Sequence, residues 1–276
     1  MKITKLMFPL IVVMLATVAC TPNKKAPKAL VLYYSLTSNT QVVAQEIATR
    51  LEADIEPIIA LNPYDTAYNA TIARSLAERE QGITPEIKPL QANLDDYDLI
   101  FIGYPVWFGT YAPPVITFLT NTDLSGKRIV PFCTFGSGGL ESSVVHMAEQ
   151  QPQAQILPGY GVRAARLSAV PYEVDQFLKA SGFIKGDYVK LPDFSVQTPV
   201  SEDDAAIFDA AVDGYRMIHA EAKTVASRAI PGGMEYLFTA VNLPRDAQAA
   251  PASPSEMQVY VTVLEGESPV FTKVVR

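Results

Sequence analysis

From residue 29 to about residue 182 the chain alternates short runs that are apolar at every position with longer stretches whose apolar residues recur every three or four positions. The first run, residues 30–34 (Leu-Val-Leu-Tyr-Tyr), has no polar face, the pattern of a strand covered on both sides of its sheet. Val42, Val43, Ile47 and Leu51 then keep helical spacing. Residues 54–59 read as a second strand, and 65–81 as a helix carrying Tyr68, Ile72 and Leu76 on one side. Residues 98–103 form the next buried strand, which should end at Tyr104-Pro105, and Pro113-Pro114 open a helix over 115–120. A fourth strand covers 127–134, a helix follows from Leu140 to about 150, and 155–162 hold a fifth strand interrupted by Pro158 and Gly159. A helix over 171–181, with Val174, Phe177 and Leu178 inward, closes the series. Such alternation predicts right-handed βαβ units and an α/β fold, a doubly wound five-stranded parallel sheet with helices on both faces.

Ligands of such sheets bind beyond the carboxyl ends of the strands. Three unusual turns are predicted there. In the first, Ser35, Thr37, Ser38, Asn39 and Thr40 crowd hydroxyl and amide groups before a helix N-terminus, where backbone N–H groups and the helix dipole attract an anion such as a phosphate monoester. The turn has no lysine and lacks the paired glycines of a nucleoside-triphosphate loop. The same residues would also serve as an ordinary helix cap. The second turn, residues 103–114, holds the chain's single tryptophan, Trp107, together with Tyr104, Phe108 and Tyr111. Large rings between elements either close over something flat or plug the space under a loop. The third, Thr134, Phe135, Gly136, Ser137, Gly138 and Gly139, lets backbone approach a planar ligand and donate N–H groups to its carbonyls. Together these features fit a phosphorylated planar heterocycle, and flavin mononucleotide (FMN) has that shape.

Composition changes near residue 185. A proline-spaced linker over 185–200 leads to Ser201, a candidate cap for a long helix over 202–228 with the stripe Ile207, Ala211, Tyr215, Ile218, Ala222 and Val225, stopped by Gly232-Gly233. Alternating patterns over 234–241, 257–264 and 270–275 predict three strands, with a mobile loop over 243–255. Residues 201–276 are therefore expected to form a small α+β domain beside the 29–184 domain. Neither histidine, His146 nor His219, falls in a turn; both lie in predicted helices and read as structural or exposed.

The extreme N-terminus is different again. Lys2 and Lys5 precede an apolar run to Ala19, which reads as a signal peptide over 1–19, too short for a confident membrane span. Cys20 after Thr17-Val18-Ala19 resembles a bacterial lipoprotein signal, whose cysteine is acylated; plain cleavage is the other reading. Residues 20–28 form a basic, proline-containing tether suited to an anionic membrane surface. The whole chain has 276 residues and a net charge of -7, or -9 once the two leader lysines are subtracted, so a nucleic-acid partner is disfavoured. Cys133, the only other cysteine, sits in an apolar run and reads as core packing.

With Tyr34-Ser35-Leu36-Thr37-Ser38-Asn39-Thr40, Gly103-Tyr104-Pro105-Val106-Trp107-Phe108-Gly109 and Thr134-Phe135-Gly136-Ser137-Gly138-Gly139 in one chain, residues 29–182 resemble the flavodoxins, most closely the bacterial subgroup with a Tyr-Pro-x-Trp loop. The resemblance implies strand order 2-1-3-4-5 and noncovalent FMN. Ser35, Thr37, Ser38, Asn39 and Thr40 would hold its phosphate, and Trp107 would lie on the ring. Backbone of Pro105, Val106, Trp107, Phe108 and Gly109 and of residues 134–139 would meet the polar edge. Ser38 stands where the family often has Gly, so a positive φ there would carry a penalty of about 1 kcal/mol. The tail faintly resembles the cystatin fold, with Arg228-Ala229-Ile230-Pro231-Gly232 in place of that family's inhibitory Gln-x-Val-x-Gly. The expected function is an FMN-binding electron-transfer protein or quinone-type reductase, exported, lipid-anchored at Cys20 and facing the periplasm, serving a redox partner protein or small-molecule acceptor. The alternative is a cell-envelope binding or protease-inhibitor-like module in which the C-terminal domain acts. A phosphoacceptor receiver is set aside because Tyr33 and Tyr34, not carboxylates, end the first strand.

Overall fold

The computed structural model describes residues 28–215, 218–243 and 256–276. The expected leader, Cys20 and nearly all of the tether lie outside them, as does most of the expected loop over 243–255. No helix among the described residues is long and apolar enough to cross a membrane.

The first apolar run becomes strand β1 (Ala29–Tyr33), followed by helix α1 (Asn39–Leu51), β2 (Asp54–Pro57), α2 (Tyr68–Gln81), β3 (Leu99–Trp107), β4 (Thr110–Tyr111), α3 (Pro113–Asn121), β5 (Arg128–Phe135), α4 (Leu140–Gln150), β6 (Gln155–Ile156), β7 (Tyr160–Arg163) and α5 (Val170–Ala180). The parallel sheet runs β2-β1-β3-β5, and both β6 and β7 pair with β5 as the two halves of one interrupted strand, giving the order 2-1-3-4-5.

Strand periodicity sorts the apolar residues between two cores. Leu30, Leu32 and Tyr34 share one face with Ile100, Ile102 and Tyr104, covered by Val115 and Phe118 of α3 and Met147 of α4. Val31 and Tyr33 share the other with Phe101, Val130 and Phe132, covered by Val43 and Ile47 of α1 and Val174 and Leu178 of α5. Burial on both faces is why these runs show no polar alternation.

The third strand departs from expectation. It does not end at Tyr104-Pro105 but continues to Trp107 and folds back through Phe108-Gly109 onto β4. Backbone groups alternate sides along a strand, and Gly103 faces β1, accepting a bond from Tyr34 N–H. Pro105 faces the same side two residues later, where β1 has ended. Its missing N–H therefore forfeits no ladder bond, and its carbonyl accepts from Ala112 N–H.

A second correction concerns the expected helix over 202–228. The helix, α6 (Glu202–Val212), stops after three turns, and β9 (Ala220–Ile230) occupies the remainder. Ser201 caps α6 reciprocally with Asp204, as the sequence suggested. Gly214, with φ 71°, ends it. Gly232-Gly233 does not stop a helix; with Pro231 it turns β9 into β10 (Gly233–Asn242), Gly232 taking φ 74°. β11 (Glu256–Leu264) and β12 (Val270–Val275) continue an antiparallel sheet, and β8 (Thr198–Pro199) adds to β9, so among the described residues five strands replace the expected three. Phe208 of α6 packs against Phe238 at 5.3 Å between ring centroids, over Val259, Val261, Phe271 and Val274.

Candidate functional site

The three expected turns lie at the carboxyl ends of β1, β3 and β5, and one hydroxyl pair joins the first to the third. Thr40 Oγ1 and Thr134 Oγ1 are 2.8 Å apart, both nearly inaccessible to solvent. That pair consumes one hydroxyl proton and leaves the other available, so Thr40 braces the first turn to the third whichever of the two hydroxyls donates.

At the first turn Ser38 sits at the N-cap of α1 with φ 64° and ψ -3°, the left-handed conformation that glycine adopts at less cost. Its side chain makes no capping bond, which removes the reading of this stretch as an ordinary Ser/Thr cap. Among the described residues, the N–H groups of 35–41 donate to no backbone or side-chain acceptor, and the side chains of Ser35, Thr37, Ser38 and Asn39 have no hydrogen-bond partner. A left-handed residue leading into a helix turns successive N–H groups toward one concavity. The local construction fits a phosphate, at about 1.5–3 kcal/mol for each charge-assisted bond.

The second turn is the tip of the β3–β4 hairpin, with Phe108 at φ 52° and Gly109 at φ 80°, the pair of positive values that suits a two-residue hairpin. A bulky ring in this conformation is strained, and Phe108 is exposed at the rim. Trp107 is half-buried. Two phenols hold it edge-on: Tyr64 at 5.2 Å with an interplanar angle of 76°, and Tyr34 at 6.0 Å with 87°. Tyr64 is fixed in turn by the Arg74 guanidinium 3.9 Å over its ring and by donating its hydroxyl to Glu78. Burial pushes the Tyr34 phenol up to about 12, and burial together with Glu78 raises Tyr64 further. The indole is thus a braced wall with part of its surface open, not a wholly buried plug. From α4, Ser142 Oγ donates to Gly109 O at 2.7 Å and His146 Nδ1 lies 3.1 Å from Thr110 Oγ1. His146 is exposed as expected but touches the aromatic hairpin, contrary to its expected remoteness; His219 lies between α6 and β9, not in a helix.

In the third turn Phe135 is buried and Gly139, at φ 116°, caps α4. A Cβ on Gly139 would stand 2.6 Å from Val106 Cγ1, so glycine here lets the second and third turns touch. On its other side the turn meets the C-terminal sheet. Val274 N–H donates to Ser137 O at 2.6 Å. Arg163 donates from Nε to Gly136 O at 2.9 Å and from a terminal nitrogen to Phe271 O at 2.8 Å. The Arg163 guanidinium lies 3.5 Å over the Phe271 ring, and Lys273 pairs with Glu141 at 2.7 Å. A Cβ on Gly138 would meet Val274 O at 2.1 Å.

Tyr64, Arg163 and Val274 were not singled out by the sequence. Tyr64 falls outside every periodic pattern, and the other two matter through contacts with residues far along the chain. Cys133 is buried, and burial raises its thiol far above the ordinary range, consistent with packing. Two surface depressions, about 500 and about 440 Å3, are lined by residues such as Thr120 and Gln151, and Lys28 and Arg128; neither touches the three turns. Among the described residues no group of three His, Cys, Asp or Glu side chains could hold a metal ion.

A family model described as Flavodoxin matches residues 28–169. The chain is similar to a flavoprotein from Bacteroides eggerthii, at 28% identity and a TM-score of 0.51, over 58% of this chain and 99% of that one. It is also similar to a flavoprotein from Bacteroides uniformis, at 26% identity and 0.48, over 55% and 99%. A flavoprotein from Lactobacillus acidophilus, solved in complex with FMN, is similar at 25% identity and 0.44, over 49% and 93%.

Proposed function

Because this chain belongs to the flavodoxin family, we propose that it holds FMN noncovalently across the three turns and moves electrons between a donor and either a redox partner protein or a small quinone-type acceptor. The observation that carries this reading is the row of N–H groups from 35 to 41 without acceptors at the carboxyl end of β1, in a molecule whose β3 turn carries a braced, half-open indole. When bound, FMN supplies the one- and two-electron chemistry that side chains lack. The chain's own residues bind, orient and shield. Ser35, Thr37, Ser38 and Asn39 take the phosphate, Thr40 and Thr134 lock the first turn to the third, and Trp107, supported by Tyr64 and Tyr34, lies against the ring. N–H groups of the glycine turn meet its polar edge.

Export and attachment to a bacterial envelope through Cys20 belong to the same proposal, supported by the basic start, apolar run and cysteine of residues 1–20. The rival reading, an independent binding or inhibitor module at the C-terminus, is less favoured because β12 is bonded to the glycine turn and does not stand apart from it. Fluorescence titration of the purified chain with FMN tests the reading. Saturable quenching at one equivalent is expected, and fluorescence that adds without quenching would overturn it. Labelling of expressing cells with a palmitate analogue, lost in Cys20→Ala, tests the anchor.

A further inference from the structure

Three contacts from β7 and the C-terminal sheet converge on the third turn, and two of them use the carbonyls of consecutive residues. Gly136 O accepts from Arg163 and Ser137 O accepts from Val274. In a trans peptide the C=O of one residue and the N–H of the next point in opposite directions. Fixing the Gly136 and Ser137 carbonyls toward Arg163 and β12 therefore fixes the N–H groups of Ser137 and Gly138 away from them. Neither N–H has an acceptor among the described residues. The missing Cβ of Gly138 lets Val274 O approach from one side, and the missing Cβ of Gly139 lets Val106 approach from the other.

We propose that the C-terminal sheet is a positioning element of the FMN site: the Val274 N–H and the Arg163 guanidinium preset the Ser137 and Gly138 N–H donors for the ring's carbonyl-bearing edge. This rests on the FMN reading above. Donors preset in this way need no reorganisation when a ligand arrives, and they favour negative charge on the edge they face. The C-terminal sheet therefore strengthens binding of the reduced, more electron-rich form more than that of the oxidised form. Arg163 and Val274 touch the turn and not the cofactor.

The direction of the Val274 N–H makes a clean test. It points out of the antiparallel sheet to Ser137 O, so Val274→Pro in the full chain removes that bond without breaking the β11–β12 ladder. Val274→Ala keeps the N–H while trimming the same buried side chain. FMN affinity should fall about ten-fold in Val274→Pro and change less than about three-fold in Val274→Ala. The midpoint potential should move to more negative values in the proline variant alone. In the FMN-free chain, the amide NMR signals of residues 136–139 should shift and broaden in that variant and stay near those of the parent in Val274→Ala. Arg163→Met against Arg163→Lys is a second arm should the proline variant not fold; methionine should lower affinity and potential together. Proline and alanine variants that match in affinity, potential and the amide signals of the turn would overturn the inference. A parent chain that binds no FMN would instead overturn the cofactor reading itself.

Discussion

The first and third turns flank β3 and share a hydroxyl pair, yet they are held in opposite ways. The first is left open: its N–H groups have no acceptors, the side chains of Ser35, Thr37, Ser38 and Asn39 have no partners, and its geometry comes from α1 and one strained serine. The third is tied on both sides, by Val106 in the second turn and by Arg163 and β12 behind it. The difference follows from what each would bind. A phosphate dianion forms charge-assisted bonds strong enough to order donors as it arrives, whereas a neutral ring edge gains only about 1 kcal/mol per bond and needs donors already in place.

The largest expected effect comes from loosening the tied turn. Gly138→Leu puts a side chain where Val274 O lies 2.1 Å from the Cβ position, and should cost about 3 kcal/mol of stability in chemical denaturation. An unchanged midpoint would mean β12 does not rest there. Thr40→Val should cost about 2 kcal/mol by leaving the Thr134 hydroxyl buried without its partner, seen as a lower denaturation midpoint at constant slope. Trp107→Ala should weaken FMN binding about ten-fold, with Tyr64→Ala giving part of that loss because the indole loses its brace. Indistinguishable titrations would show the ring to be a plug. On the open turn the sign reverses: Ser38→Gly should stabilise the protein by about 1 kcal/mol in thermal unfolding, with FMN bound at least as tightly. The smallest effect is set by pH. The Tyr34 phenol titrates at about 12 in the folded protein against 10.0 ordinarily, so its contribution is present below pH 10 and lost as pH rises toward 12. Tyrosinate absorbance of the native chain should therefore lag that of Tyr34→Phe corrected for one tyrosine.

How much of this could be read from the chain depended on whether local pattern or distant contact made the element. β1, α1 and the first turn followed from a run of apolar residues, a polar turn and helical spacing, and Ser38 in a positive-φ position was anticipated as a departure with a cost. The segment 202–228 misled because Ala211, Tyr215, Ile218, Ala222 and Val225 keep a helical interval by chance. Alanines at 220, 222, 226 and 229 suit helix by propensity yet here sit in β9, where pairing with β10 outweighs it. Pro105 looked like a terminator because the sequence does not show that its neighbour β1 has already ended. The clamp on the third turn was invisible for a deeper reason: Arg163 and Phe271 meet across 108 positions of the chain, and no periodicity encodes that.

The central claim is that separate turns meet to hold FMN, and an absorption spectrum of the purified, FMN-reconstituted and desalted full chain tests it most directly. The expected result is retained yellow colour, about one flavin per chain, bleached by reductant and restored by air. A colourless chain after desalting, with all flavin in the flow-through, would contradict it.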